Sequence, residues 1–392
     1  MRIAYIAPYQ GPALLKRRPI VRNLSLGGIV KIGLIAELLQ RSSHTVEILS
    51  QGEVTERQLK FYSGFREPHA VNGNIPIYYS SAFPVQFLNG LWSSLSTLRI
   101  FKARHRISPF DVVLIYNLKP PQVACANYAR RRLGLPVILE YEDEHFSDDA
   151  SPRKGSFASR FYLDAAKRLL SRVSGCVAVS PHLLAQTPPS VPKLLLRGVV
   201  SNEIVSLRGQ AKGVRRNWIV FSGTHTRSQG LEQLIKAWRM LGLMDWELHI
   251  AGQGAMTNTM HNMAESCKTI VFHGLLGRED NARLLKTAKI GIAPFDISQT
   301  PDRGFSFKII EYLAAGLHVV TTPRGFLEPQ LETGISYIAD NSPDTIAAGL
   351  KKVIHDCPYE QKAQQAALQT YGPEAVSKGL NRLIEQAMAQ AN

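Results

Sequence analysis

Cysteine is scarce in this chain, and the four present (Cys125, Cys176, Cys267 and Cys357) stand far apart with no C-x-x-C pair. That scatter excludes a disulfide scaffold and a zinc-ligand spacing. Inert thiols in a reducing compartment are the expectation, and with them a cytoplasmic chain. No run approaches the ~18 consecutive apolar residues that a membrane-spanning helix needs. The opening MRIAYIAPYQG breaks its apolar run at Pro8 and Gly11, so it reads as a buried first strand and not as a signal peptide. Low-complexity segments and short repeats are also missing, which excludes solenoids and disordered tails. Acidic residues are the last shortage. The net charge is +15, and the excess lies in the first 200 residues, where basic side chains outnumber acidic ones about two to one. That half is expected to meet something anionic, such as a phospholipid surface, a lipid diphosphate or nucleic acid, or else to carry a solvated basic surface. No aromatic-basic recognition motif accompanies the charge, so nucleic acid is not an expected partner.

What is present is ordinary for a soluble protein: 45% hydrophobic and 20% charged residues in 392, a length that suits two domains. Short apolar runs alternate with helical stretches, the pattern of a parallel sheet covered on both faces. Strands are expected at 3–7, 46–50, 112–116, 137–139 and 176–179, with helices at 28–41, 121–133 and 156–173. A hairpin is expected around 74–79. From Phe83 to Arg106, Phe87, Leu91, Trp92, Leu95, Leu98 and Phe101 stand among Arg99, Lys102, Arg104 and Arg106. With Lys16–Arg18 and Arg130–Arg132 this stretch could dock on an anionic membrane surface; apolar residues at helical spacing equally describe a core helix. Residues 197–217, rich in glycine and poor in large apolar side chains after Val205, read as a linker. The alternation restarts with strands at 218–222, 246–251, 269–272, 290–293 and 319–321 and helices at 230–241, 278–287 and 307–315. Three helices close the chain. Domains are therefore expected at 1–197 and 198–372, with a last helix, 373–392, packing back on the first. Two doubly wound units leave a crevice at the carboxyl ends of their strands, where such folds bind ligands.

The most informative segment is F-S-F-K-I-I-E-Y-L-A-A-G-L-H-V-V, residues 305–320. Lys308 and Glu311 are three apart and share a helix face. A cation at a helix start adds to the positive end of the helix and suits a departing diphosphate, and a carboxylate one turn on can accept two hydrogen bonds from a ribose diol. The segment closely resembles the donor-site helix of the family 4 (group 1) glycosyltransferases. That resemblance implies a GT-B fold, two Rossmann-like α/β domains facing across a cleft. It also implies that Glu311 holds the ribose, that Lys308 faces the diphosphate, and that Phe307 lies at the donor.

Other segments extend the resemblance. F-S-G-T-H-T-R-S-Q-G (221–230) is similar to the family's strand-loop-helix G-R-x-x-x-x-K-G, with Gly223 and Gly230 retained. Thr224 replaces the family arginine and Gln229 the family lysine. Arg227 in the same loop is the nominated substitute cation; an exposed loop arginine is the alternative. A G-x-G turn at 252–254 followed by H-G-L-L resembles the nucleobase loop and implies that role for Gly274, Leu275 and Leu276, with His273 read as structural. Arg303 stands where the family's E-x7-E signature has its first glutamate. It is open whether it selects an acidic sugar, replaces a phosphate cation or marks altered chemistry. In the first half, Gly27 and Gly28 resemble the G-G loop at a helix start, where donor phosphate or acceptor approaches the backbone. Glu142 and Asp143 fall at the family's H-D strand end, with glutamate for histidine; acceptor binding, orienting the attacking hydroxyl, or a solvated loop are the alternatives. The acidic run around them is not read as a metal site, because its ligands are consecutive.

The implied reaction is metal-independent glycosyl transfer from a nucleotide diphosphate sugar, with retention, to a saccharide or lipid-linked acceptor of the lipopolysaccharide type. No cofactor is implied beyond that donor substrate, and the cytoplasmic chain would work at the inner face of a membrane. The departures at Thr224, Gln229, Glu142 and Arg303 keep a second reading open, a catalytically degenerate GT-B scaffold acting as a binding or partner subunit.

Overall fold

The computed structural model describes residues 1–18, 26–52, 54, 59–69, 73–85, 88–143, 157–206, 215–298, 306–323, 327–356 and 361–390. Contacts divide the chain into two compact units, 1–196 with 376–392, and 197–375. In the first unit the elements are β1 (Arg2–Ile6), α1 (Pro12–Arg17), α2 (Leu26–Arg41), β2 (Thr45–Ser50), β3 (Phe65–Pro68), β4 (Pro76–Tyr79), α3 (Asn89–Ile107), β5 (Val112–Tyr116), α4 (Pro120–Leu133), β6 (Val137–Tyr141), α5 (Phe157–Leu170), β7 (Gly175–Ala178), α6 (Pro181–Ala185) and β8 (Lys193–Leu195). The second holds α7 (Asn202–Ser206), β9 (Trp218–Ser222), α8 (Leu231–Leu241), β10 (Glu247–Ala251), α9 (Thr257–Ala264), β11 (Ile270–Gly274), α10 (Arg278–Thr287), β12 (Ile290–Ala293), α11 (Phe307–Ala315), β13 (His318–Thr321), α12 (Pro329–Glu332), β14 (Ile335–Tyr337), α13 (Pro343–Asp356) and α14 (Gln361–Tyr371). The last helix, α15 (Pro373–Ala389), returns to the first unit. There Gly175 faces its Leu383 and Ala387, and Asn381 bonds His44.

The first sheet runs β3-β4-β2-β1-β5-β6-β7-β8, parallel except for the β3–β4 hairpin. The second runs β11-β10-β9-β12-β13-β14 and is parallel throughout. Central strands such as Val112–Tyr116 and Ile290–Ala293 are apolar at consecutive positions and buried at every one, as a sheet covered on both faces requires. Strand order reverses between β1 and β5 in one sheet and between β9 and β12 in the other, so each unit has its own crevice at those carboxyl ends.

Three sequence expectations need amendment. The segment read as a linker contains α7, which packs on α10 and α11 and buries Ile204, while residues 207–214 lie outside the described part. The stretch 83–106 divides: Phe101 is fully buried, whereas Leu91 and Leu95 face outward, and Phe87 lies outside the described residues. The hairpin's first arm is 65–68, earlier than expected, because Tyr79 pairs back to Phe65. The described cysteines are free, with Cys125 and Cys176 buried, and Cys357 lies outside the described residues. No helix among them is long and apolar enough to cross a membrane.

Gly230 joins the loop after β9 to α8 with φ +71, and a Cβ there would stand 1.8 Å from the Pro294 carbonyl oxygen beyond β12. Backbone cannot yield as a flexible side chain does, so this contact admits only glycine. Gly274 also has positive φ (+64) but open space around it. Gly230→Ala should therefore destabilise the second unit by about 3 kcal/mol or more, and Gly274→Ala by only about 1–2 kcal/mol, the left-handed penalty alone. Urea denaturation of the two variants checks this; equal losses would contradict it.

Candidate active site

The second unit builds its site around the first turn of α11. Ser306 caps that helix without a side-chain bond, and no acidic residue occupies the first turn, so the opening amides face outward with their partial positive charge. Lys308, in this turn, donates to the Gln229 Oε1 at 2.6 Å and lies 3.9 Å from the centre of the Phe221 ring and 5.3 Å from that of Phe295. A Cβ on Gly223 would come within 2.8 Å of its Nζ, so the missing side chain leaves the ammonium its place at the end of β9. Gln229 is thus the residue beside Lys308. A lysine there would set two ammonium groups against each other, whereas the amide oxygen holds the one that is present.

Glu311 follows one helical turn later and is half-buried. Removal from water pushes its carboxyl up to about 7, and Lys308 and then Arg278 partly offset that rise. Arg278 begins α10 and pairs with Glu203 of α7 at 4.0 Å. Sequence reading passed over both residues; the available signal was an arginine placed directly after the H-G-L-L-G loop at a helix start. Tyr312 was also missed. Its hydroxyl accepts from the Ser222 amide at 2.7 Å, and Ser222 Oγ donates to Asn281 at 2.7 Å. These bonds tie the end of β9 to α11 and α10 and fix where Gly223 lies.

The loop after β9 is held from below. His225 is buried, bonds Thr257 at 3.0 Å, and has its pKa lowered by burial first and by the Lys308 charge among lesser causes, so it is neutral. Thr224 is half-buried beside it. Arg227 is exposed and forms no ion pair among the described residues, whereas Lys308 lies inward. Gly274 gives its carbonyl to the Gly252 amide at 2.7 Å; Leu275 is exposed and Leu276 half-buried. His273 bonds His249 at 2.8 Å, and His249 in turn stacks on Trp218, a structural chain of rings. Phe307 packs on Gly198, where a Cβ would stand 2.0 Å from the ring. Arg303 lies outside the described residues.

The first unit's site lies where β1, β5 and β6 end. Gly27 is exposed and Gly28 buried in the first turn of α2, and residues 19–25 ahead of them lie outside the described part. One turn on, buried Lys31 pairs with Glu142, lies 3.7 Å from Glu140, and donates to the Leu196 carbonyl at 3.0 Å. Tyr5 donates to the other Glu140 oxygen. Burial pushes Glu142 up to about 7 against the pull of Lys31, and the Glu140 charge pushes the same way; Glu140 is raised too, by burial. Asn117 latches the turn. Held at φ 60, it accepts from the Glu142 and Asp143 amides at 2.8 and 3.1 Å and donates to Asp143 at 2.9 Å. Glu142 is therefore no solvated loop residue. Among the described residues no group of three or more His, Cys, Asp or Glu could hold a metal ion.

Lys31→Met would leave Glu140 and Glu142 buried without their cation. Both would then be protonated in the folded chain and ionised in the unfolded one, so stability falls as pH rises above the ordinary carboxylate range. The variant should lose about 3–5 kcal/mol at pH 8 and markedly less at pH 5. Denaturation at the two pH values checks the sign.

Two family models match the chain: "Glycosyl transferase 4-like domain" over residues 27–188 and "Glycosyl transferases group 1" over 216–356. No curated protein matches it by sequence. Among solved structures it is similar to sucrose-phosphate synthase from Thermosynechococcus elongatus, at 14% identity and TM-score 0.69 with 100% of each chain covered. It is also similar to Anabaena Alr3699/HepE, a structure in complex with UDP, at 14% identity and TM-score 0.64 over 98% of this chain and 100% of the other. A third is WaaG, a glycosyltransferase involved in lipopolysaccharide biosynthesis, at 14% identity and TM-score 0.57 over 100% of this chain and 99% of that one. At such identities the structures establish the two-domain GT-B fold, and the two family models, between them covering most of the chain, establish the rest: it belongs to the group 1, or family 4, glycosyltransferases.

Proposed function

We propose that this chain moves a glycosyl group from a nucleoside diphosphate sugar to a saccharide or lipid-linked acceptor, with retention at the anomeric carbon and without a metal ion. The observation that carries the reading is the pairing of Lys308, at the uncapped start of α11, with Glu311 one turn on. The lysine and helix amides suit the diphosphate, and the carboxylate suits the ribose diol. UDP in the similar Anabaena structure supports a site of this class.

In this reading the bond from the anomeric carbon to the diphosphate oxygen breaks as the acceptor oxygen adds on the same face, and the acceptor proton passes to the departing phosphate. Charge grows on that phosphate in the transition state, so a cation fixed in advance lowers the barrier. Arg227 and Arg303 are secondary candidates for that task, with Thr224 in the same loop as Arg227. Glu142 and Asp143 orient the acceptor, beside Gly27 and Gly28. Gly274, Leu275 and Leu276 take the base, and Phe307 backs the donor.

Transfer or slow hydrolysis across a panel of nucleoside diphosphate sugars, acidic sugars included, is the direct test. Lys308→Ala should lower kcat/KM about 10²–10³-fold. Nucleotide binding without any turnover would favour the degenerate scaffold instead, and no nucleotide binding at all would sink both readings. The pH dependence is a separate check. Only ionised Glu311 accepts two hydroxyl bonds, so affinity for a nucleoside diphosphate sugar should fall about tenfold per unit below pH 7 and level off above it. Glu311→Gln should flatten the profile.

A further inference from the structure

The first half of helix α3 is built inside out. The side it packs against α4 and the end of β4 carries Ser93, Ser96 and Thr97, all buried. Ser96 bonds Ser81, and the Ser93 and Thr97 hydroxyls have no hydrogen-bond partner among the described residues. Facing out are Leu88 (49% exposed), Leu91 (60%) and Leu95 (47%). A water-facing helix of a globular protein has the opposite arrangement. Small polar side chains let α3 lie close to its neighbours. They do not explain why leucines stand at the three solvent positions.

The outer stripe continues in register. At 100° per residue, positions 88, 91, 95, 99, 102 and 106 fall within one narrow sector, so the three leucines are followed along the same face by Arg99, Lys102 and Arg106. Arg99 and Arg106 are exposed, and Lys102 lies over the Tyr128 ring at 4.2 Å. Phe61 (55% exposed) meets Trp92 of α3 edge-on at 5.8 Å, which brings the neighbouring Leu59 (90%) and Lys60 to the leucine end. No acidic residue occurs between Glu67 and Asp111. The surface is therefore apolar at one end and purely cationic at the other.

We propose that this face of α3, with the Leu59–Phe61 loop, docks the first unit on an anionic phospholipid surface. Its leucine end enters the boundary of the acyl region, and its arginine end stays among the headgroup phosphates. Charge complementarity decides the occupant. A second copy joined symmetrically through this face would set Arg99, Lys102 and Arg106 against cations of its own kind if the helices ran parallel, or against the apolar leucine end if they ran antiparallel, whereas an anionic bilayer offers both an apolar depth and negative charge. The proposal does not depend on the donor chemistry of the second unit.

Flotation of the full chain with phosphatidylglycerol–phosphatidylcholine vesicles tests it, against vesicles of phosphatidylcholine alone. Binding is expected to the first, to weaken as salt rises, and to be much weaker to the second. Leu91→Ser with Leu95→Ser should weaken it about tenfold or more, and Arg99→Gln with Arg106→Gln by about fivefold for each charge. All four positions are exposed, so these variants should unfold at the wild-type temperature and bind nucleotide as before. Met244→Ser, at a still more exposed apolar position in the second unit, should change nothing. No binding by the wild type, unchanged binding by the leucine variant, or a dimer in solution that the leucine variant dissociates would each overturn the proposal.

Discussion

An ammonium group taken out of water must be given partners, and each unit meets that demand at the carboxyl ends of its parallel strands in its own way. Lys31 receives two carboxylates, one of them also bonded by Tyr5, and a backbone carbonyl. Lys308 receives an amide oxygen and the faces of two aromatic rings. The first arrangement neutralises its cation, while burial raises both carboxyl pKa values against the pull of Lys31. The second surrounds its ammonium with a neutral amide dipole and two ring quadrupoles. The surrounding backbone follows from these demands: in the first unit Asn117 holds positive φ and accepts from the Glu142 amide, and in the second Gly223 is side-chain-free to make room and Tyr312 bonds the end of β9 to α11.

Much of this was legible in the sequence. Consecutive apolar positions announced the central strands, and the spacing of Lys308 and Glu311 placed both on one helix face. What was not legible is what spans the chain. Gln229 meets Lys308 across 79 positions and Lys31 meets Glu142 across 111. Neither pair has local periodicity to betray it. Gln229 looked like a lost cation and is also the group that holds the remaining one. Arg278 and Glu203 escaped for another reason: residues 197–217 looked like a linker because α7 is short and its apolar residues are Ile204, which is buried, and Val205 alone.

Helix α3 shows the limit of hydrophobic pattern in the opposite sense. Its apolar residues do recur at helical spacing, which ordinarily marks a core. Phase decides the matter, and phase is not visible without knowing which side meets the sheet. Phe101 falls inward and Leu91 and Leu95 outward, so one periodic stretch serves packing on one side and exposure on the other.

The hydrogen bond from Lys308 to Gln229 also joins a charged donor to a neutral acceptor whose side chain carries a donor of its own. Rotating the amide exchanges its oxygen for its NH2, so one residue can face either a cation or an anion. In the proposed reading, the glutamine at the family's lysine position thus gives its oxygen to Lys308 and would turn its NH2 toward a phosphate that takes the lysine's bond.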